Sequence, residues 1–201
     1  MNSKNANPYW HLTTKPHVFD PVKVEELCVT VFETFSTSLA MASYYVDDAV
    51  DTDEEGGFEF PKLVSKHQEK AEAKISSSLL ILSITYRALE EQLEDSEKFQ
   101  QFKVDNATIF DEKLIYFVGD GRKTLREACN KVIHAVDFRP VYDNGSMPRD
   151  EGVWGMDGQI EMEGMQSGKP WHVVISVLDF LEAMLDISDF VTMLREVHEP
   201  L

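Results

Sequence analysis

Two long stretches of the chain repeat their apolar residues at helical spacing, and no other feature limits its fold so tightly. After Asp20 and Pro21, an N-cap residue followed by a proline in the first turn, Val24, Leu27, Cys28, Val31, Phe32, Phe35 and Leu39 recur every three or four residues. This pattern predicts a first helix running from Asp20 to about Val50. From about Pro61 a second pattern, Ile75, Leu79, Leu80, Leu82, Tyr86, Leu89 and Leu93, predicts another helix of more than ~25 residues. Each has one apolar stripe and must bury it against other elements.

The rest of the chain supplies those partners. A short helix is expected around Glu97 to Lys103, and Leu114 to Val118 is an ambiguous apolar piece ended by Gly119-Asp120-Gly121. Thr124-Leu-Arg-Glu127 is a capping box, so a third principal helix starts there and is expected to end near Val136 or Asp137. Pro140 and Asp143-Asn-Gly-Ser-Met-Pro148 then read as turn chemistry, which predicts a loop as far as Gly158. Ile160 and Met162 alternate with Glu161 and Glu163, and Trp171, Val173 and Ile175 alternate with His172, Val174 and Ser176. With Ser167-Gly168 between them, these runs predict a β-hairpin over 159–176. Ser176 to Asp179 can cap a last helix carrying Val177, Leu178, Leu181, Met184, Leu185, Phe190, Val191 and Leu194.

The expected class is therefore mainly α: an antiparallel bundle of four principal helices with a β-hairpin inserted before the last. Residues 1–19 lack any period and form a tail, leaving 20–201 as a single domain. A chain of 201 residues with twelve Phe and three Trp has material for a core of its own.

Charge narrows the partners. Nineteen basic residues against thirty-six acidic give a formal charge of -17, which disfavours non-specific binding to nucleic acid or anionic lipid. Cys28 and Cys129 both fall in apolar helical stripes, as reduced, core-packed thiols do. With no run long enough for a signal peptide or a spanning helix, the reading is cytoplasmic and free of any membrane.

Stepping 100° per residue along the third principal helix puts Leu125, Ala128, Cys129, Val132, Ile133 and Val136 on one face and aligns Arg126, Asn130 and His134 as a polar stripe. These three are the candidate catalytic residues. A histidine titrates near neutral pH, so His134 would be base and acid, while Arg126 offers a fork for phosphate and Asn130 an orienting donor.

Asn130-Lys-Val-Ile-His134, within this helical arrangement, resembles the motif region of HEPN domains, the helical domains named for higher eukaryote and prokaryote nucleotide binding. That family's motif is an Arg, four to six residues and a His, often with a polar residue directly after the Arg. The resemblance implies a homodimer, a setting in a toxin–antitoxin or defence system and, in active members, RNA cleavage without metal. His134 matches the motif His and Asn130 the polar position, but Cys129 stands where the Arg is expected, and Arg126 has seven residues between it and His134. The resemblance therefore implies a non-catalytic, homodimeric interaction module, with the hairpin as a surface for self-association or a protein partner. The alternative is a metal-independent endoribonuclease using His134, Arg126 and Asn130, the one case in which RNA is a partner.

Asp51-Thr-Asp53-Glu-Glu55-Gly56-Gly57-Phe58-Glu59 matches a calcium loop at several positions, which makes 51–62 a minor alternative for calcium. Lys62 stands where the bidentate Glu of such a loop belongs. His11, His17, His67, His172 and His198 have neither a Cys nor a second His at zinc spacing, so no metal site and no cofactor is expected.

Overall fold

A computed structural model describes residues 19–44, 51–52, 57–58, 62–106, 118–119, 124–143 and 154–196. The class is mainly α. Helix α1 spans Pro21–Tyr44, α2 Lys62–Gln92, α3 Glu97–Asp105, α4 Leu125–His134 and α5 Val177–Glu196. The first stripe faces inward through Val24, Cys28, Val31 and Phe35, which are buried, whereas Phe32 and Leu39, expected in the same stripe, are 54% and 52% exposed. Ser188 on α5 contacts the Pro21 carbonyl at 3.2 Å, and the Cys28 thiol lies 3.9 Å from the Leu181 carbonyl. Those contacts set α1 and α5 antiparallel. On its other flank α1 packs against α2, whose Ile75, Leu79, Leu82 and Tyr86 are fully buried. Each of the three aliphatic side chains stabilises the fold by roughly 1.5–3 kcal/mol.

Helix starts follow their capping chemistry. Thr124 accepts a hydrogen bond from the Glu127 amide at 3.2 Å, Ser96 from the Phe99 amide at 3.4 Å and Ser176 from the Asp179 amide at 3.3 Å. Phe99, Phe102 and Phe190 then stack α3 onto α5, with Phe102 and Phe190 centroids 4.3 Å apart.

The β structure exceeds the expected hairpin. Strands β1 (Asp51–Thr52) and β2 (Gly57–Phe58) pair as a two-residue ladder, while Asp53–Gly56 and most of the calcium-like loop lie outside the described residues. Strands β3 (Val118–Gly119), β4 (Ala135–Asp143), β5 (Gly155–Gln166) and β6 (Lys169–Ser176) form an antiparallel sheet in the order β3-β6-β5-β4. The loop expected from Pro140 to Gly158 is thus corrected: its first part is strand β4, and β5 begins at Gly155. Pro140 is tolerated because β4 is an edge strand, with register shifts at Ala135/Asp137 and Pro140/Tyr142. The end of the third principal helix is corrected as well. Helix α4 stops at His134, Ala135 turns extended, and Val136, expected on the apolar face, is 82% exposed.

The hairpin itself matches its sequence signal. Ser167 and Gly168 have φ of 51° and 76°, left-handed values at both central positions, so their turn follows the right-handed twist of the strands. Ile160, Met162, Trp171, Val173 and Ile175 face the core. The sheet is tied to α1 by the Met156 amide, which donates to Ser38 Oγ at 3.2 Å, and to α2 by Tyr142, which donates to Glu72 at 2.6 Å.

Candidate functional site

The polar stripe of α4 divides between two neighbours. On a helix Asn130 lies ~40° beyond Arg126 and His134 ~40° beyond Asn130, so the stripe is a staircase rather than a column. Its lower step faces α2. Arg126 Nη1 sits 3.0 Å from Glu90 Oε2, and Arg87 reaches the same oxygen at 2.5 Å from the preceding turn of α2. Glu90 is nearly buried, with 9% of its side chain exposed, so two guanidinium groups compensate its charge there.

The upper steps face the sheet. Asn130 and His134 line a cavity of about 260 Å³ together with Glu127, Lys131, Gln166, Ser167 and Trp171. His134 is exposed and Asn130 half-buried. Sequence reasoning missed Lys131, whose side chain is 5% exposed. Its ammonium lies 3.4 Å from Glu127 Oε1, 3.4 Å from Gln166 Oε1 and 4.3 Å from the centre of the Trp171 ring. On the helical wheel Lys131 flanks Ala128 by ~60°, at the border of the apolar face. That position was the available signal, but a lysine there needs an aromatic cover from another element, and Trp171 arrives only through strand pairing.

Gly164 makes this arrangement possible. It pairs with Ala135 on one side and Trp171 on the other. A Cβ at that position would run into the Trp171 ring and stand 2.9 Å from the His134 carbonyl, so the ring crosses the strand where no side chain intervenes. The indole then lies against α4 and walls the cavity.

Cys129, in the place of the motif arginine, is fully buried between α4 and α2. Burial pushes its thiol well above the usual range, the Ser83 hydroxyl opposing this and the Glu90 charge adding to it. A neutral thiol in the core offers nothing to phosphate. Tyr86, beside it, is also raised, first by burial and then by Glu90. The geometry therefore joins His134 and Asn130 to Lys131 and separates them from Arg126. Such a site has one imidazole, the amides of Asn130 and Gln166, and one ammonium already paired with Glu127.

Against known proteins the chain has no significant match to any family model, to any curated protein or to any solved structure. Among the described residues, no helix is long and apolar enough to cross a membrane.

Proposed function

We propose that this chain is a HEPN-like helical domain, built on α1, α2, α4 and α5 as an antiparallel bundle, that acts as a non-catalytic, self-associating interaction module. The observation that carries this reading is the engagement of Arg126 by Glu90 at 3.0 Å. An endoribonuclease of this type needs a cation free to meet the phosphate beside its histidine. Here Arg126 is committed to α2, and Cys129 is closed in the core. Self-association uses the outer edge of β4, which has no strand beside it among the described residues and can pair with a second copy, with side chains of the adjoining β5–β6 hairpin completing the surface.

A second reading, metal-independent cleavage of RNA, is favoured by one feature: Asn130 and His134 share a cavity with the Lys131 ammonium. Incubating the protein with labelled RNA in chelator separates the two. The module reading expects no cleavage across a broad panel of RNAs. Cleavage that disappears in His134→Ala and in Arg126→Ala would overturn it. Light scattering on the eluting protein tests self-association, for which a dimer is expected and a monomer at all concentrations is the contrary result.

A further inference from the structure

The outward face of the β5–β6 hairpin holds a group of side chains for which the module reading has no use. Strand alternation that turns Ile160, Met162, Trp171 and Val173 into the core must turn Glu161, Glu163 and His172 to the other face. Register then collects them. Glu163 stands directly opposite His172, and Glu161 is two residues earlier on the same side of β5. One carboxylate oxygen from each glutamate and one imidazole nitrogen lie within 4.8 Å of one another, and His172 Nε2 is 2.6 Å from Glu161 Oε1.

We propose that Glu161, Glu163 and His172 bind one divalent transition-metal ion of the zinc class through two carboxylate oxygens and an imidazole nitrogen, with water in the remaining position. Zinc takes such ligands at ~2.0–2.2 Å, so around a tetrahedral ion their atoms stand roughly 3.4 Å apart. The side chains reach that spacing by small rotations. His172 and Glu163 are about half exposed, and the backbone beneath them is held by an unbroken ladder from Gln159 to Gln166. Ligand chemistry selects the ion: two carboxylates neutralise its double charge, and an imidazole favours zinc, cobalt or nickel over magnesium and calcium. The chain's charge of -17 draws cations to its surface.

One group competes. Arg139 Nη2 lies 3.2 Å from Glu163 Oε1 and 3.0 Å from Asp137 Oδ2, so on metal binding it gives up Glu163 and keeps Asp137. The site is invisible to a search for ligands at close spacing in the sequence, because its histidine is on a different strand from its glutamates. Only the pairing of β5 with β6 unites them.

The test is titration of the full chain with zinc chloride, and separately with cobalt and magnesium chloride, by calorimetry and thermal melting. One saturable equivalent of zinc is expected, with a raised melting temperature, visible absorption from bound cobalt and no comparable uptake of magnesium. His172→Asn and Glu163→Gln are each expected to weaken zinc by about tenfold or more. Arg139→Gln, which removes the competing cation, is expected to strengthen it several-fold, a gain that a damaged fold cannot imitate. Absence of saturable zinc uptake, equal affinity for magnesium, or zinc binding unchanged in both His172→Asn and Glu163→Gln overturns the proposal.

Discussion

Arg126 on α4 and Glu90 on α2 form an ion pair at 3.0 Å that removes the arginine from the side of the helix where His134 stands. The pair is lopsided: 53% of the Arg126 side chain is exposed against 9% for Glu90. Removing the exposed partner leaves Glu90 with Arg87, whereas removing Glu90 takes the shared carboxylate from both arginines and leaves the largely buried Arg87 with only Glu91 at 3.5 Å. Arg126→Ala is therefore expected to cost about 0.5–1 kcal/mol and Glu90→Ala about 3 kcal/mol. Urea denaturation of the two variants checks the order. Equal losses would mean that the pairing does not hold α4 to α2.

Lys131 poses the complementary case, a cation under an aromatic ring. Truncation in Lys131→Ala takes away the packing of its stem beneath Trp171 and leaves Glu127 without its 3.4 Å partner. A loss of about 2–4 kcal/mol is expected. Lys131→Met keeps the apolar stem and is expected to lose about half as much, because a good share of the lysine's contribution is packing. The comparison is read from denaturation midpoints.

Gly164→Ala tests the close approach that builds the cavity. The added methyl would stand 2.5 Å from Trp171 Cε2, a contact that only displacement of the ring relieves, and the ring is held between Gly164 and Lys131. A destabilisation of about 1–3 kcal/mol is expected, as for other overpacked sites. Near-ultraviolet circular dichroism is expected to change with it, reporting a moved indole.

Legibility in the sequence followed the range of the physics. Helix starts at Pro21, Leu125 and Val177 were readable because capping and periodicity are local, and the Ser167-Gly168 turn carries its own conformation. Strand β4 was not readable: Pro140 and two register shifts break its alternation, and an edge strand tolerates both. Asn130 and His134 emerged from the helical wheel, but their separation from Arg126 depends on Glu90, thirty-six positions earlier in the sequence. Lys131 and the Glu161, Glu163 and His172 group depend on strand pairing in the same way. Long-range partners decide what a locally sensible stripe becomes.

The two cysteines are expected to resist modification in the native protein. Burial pushes the Cys28 thiol up to about 12, with the Glu25 and Glu182 charges adding to it, and Cys129 is raised further behind α2. Thiolate is the reactive form, so iodoacetamide at neutral pH is expected to label neither site appreciably until denaturant opens the fold. Labelling followed by mass spectrometry checks this. Rapid native labelling at Cys129 would show that α4 separates from α2.

Asp186 supplies a pH-dependent prediction whose sign follows from its surroundings. On the outer face of α5 its carboxyl is raised above the ordinary 3.8, first by partial desolvation and then by repulsion from Glu182 and Asp189. A raised carboxyl binds its proton more tightly in the folded state, so ionised Asp186 weakens the fold at neutral pH. That penalty fades as pH falls through the raised value toward 3.8, and below both values the group is protonated in either state. Asp186→Asn is accordingly expected to be more stable than the parent at pH 7, by no more than ~0.5 kcal/mol for so exposed a position, and equal to it in acid. The advantage is expected to shrink in high salt, which screens the repulsive share contributed by Glu182 and Asp189. Melting temperatures of both proteins across pH and salt check the sign, and an advantage that grows toward acid would contradict the raised carboxyl.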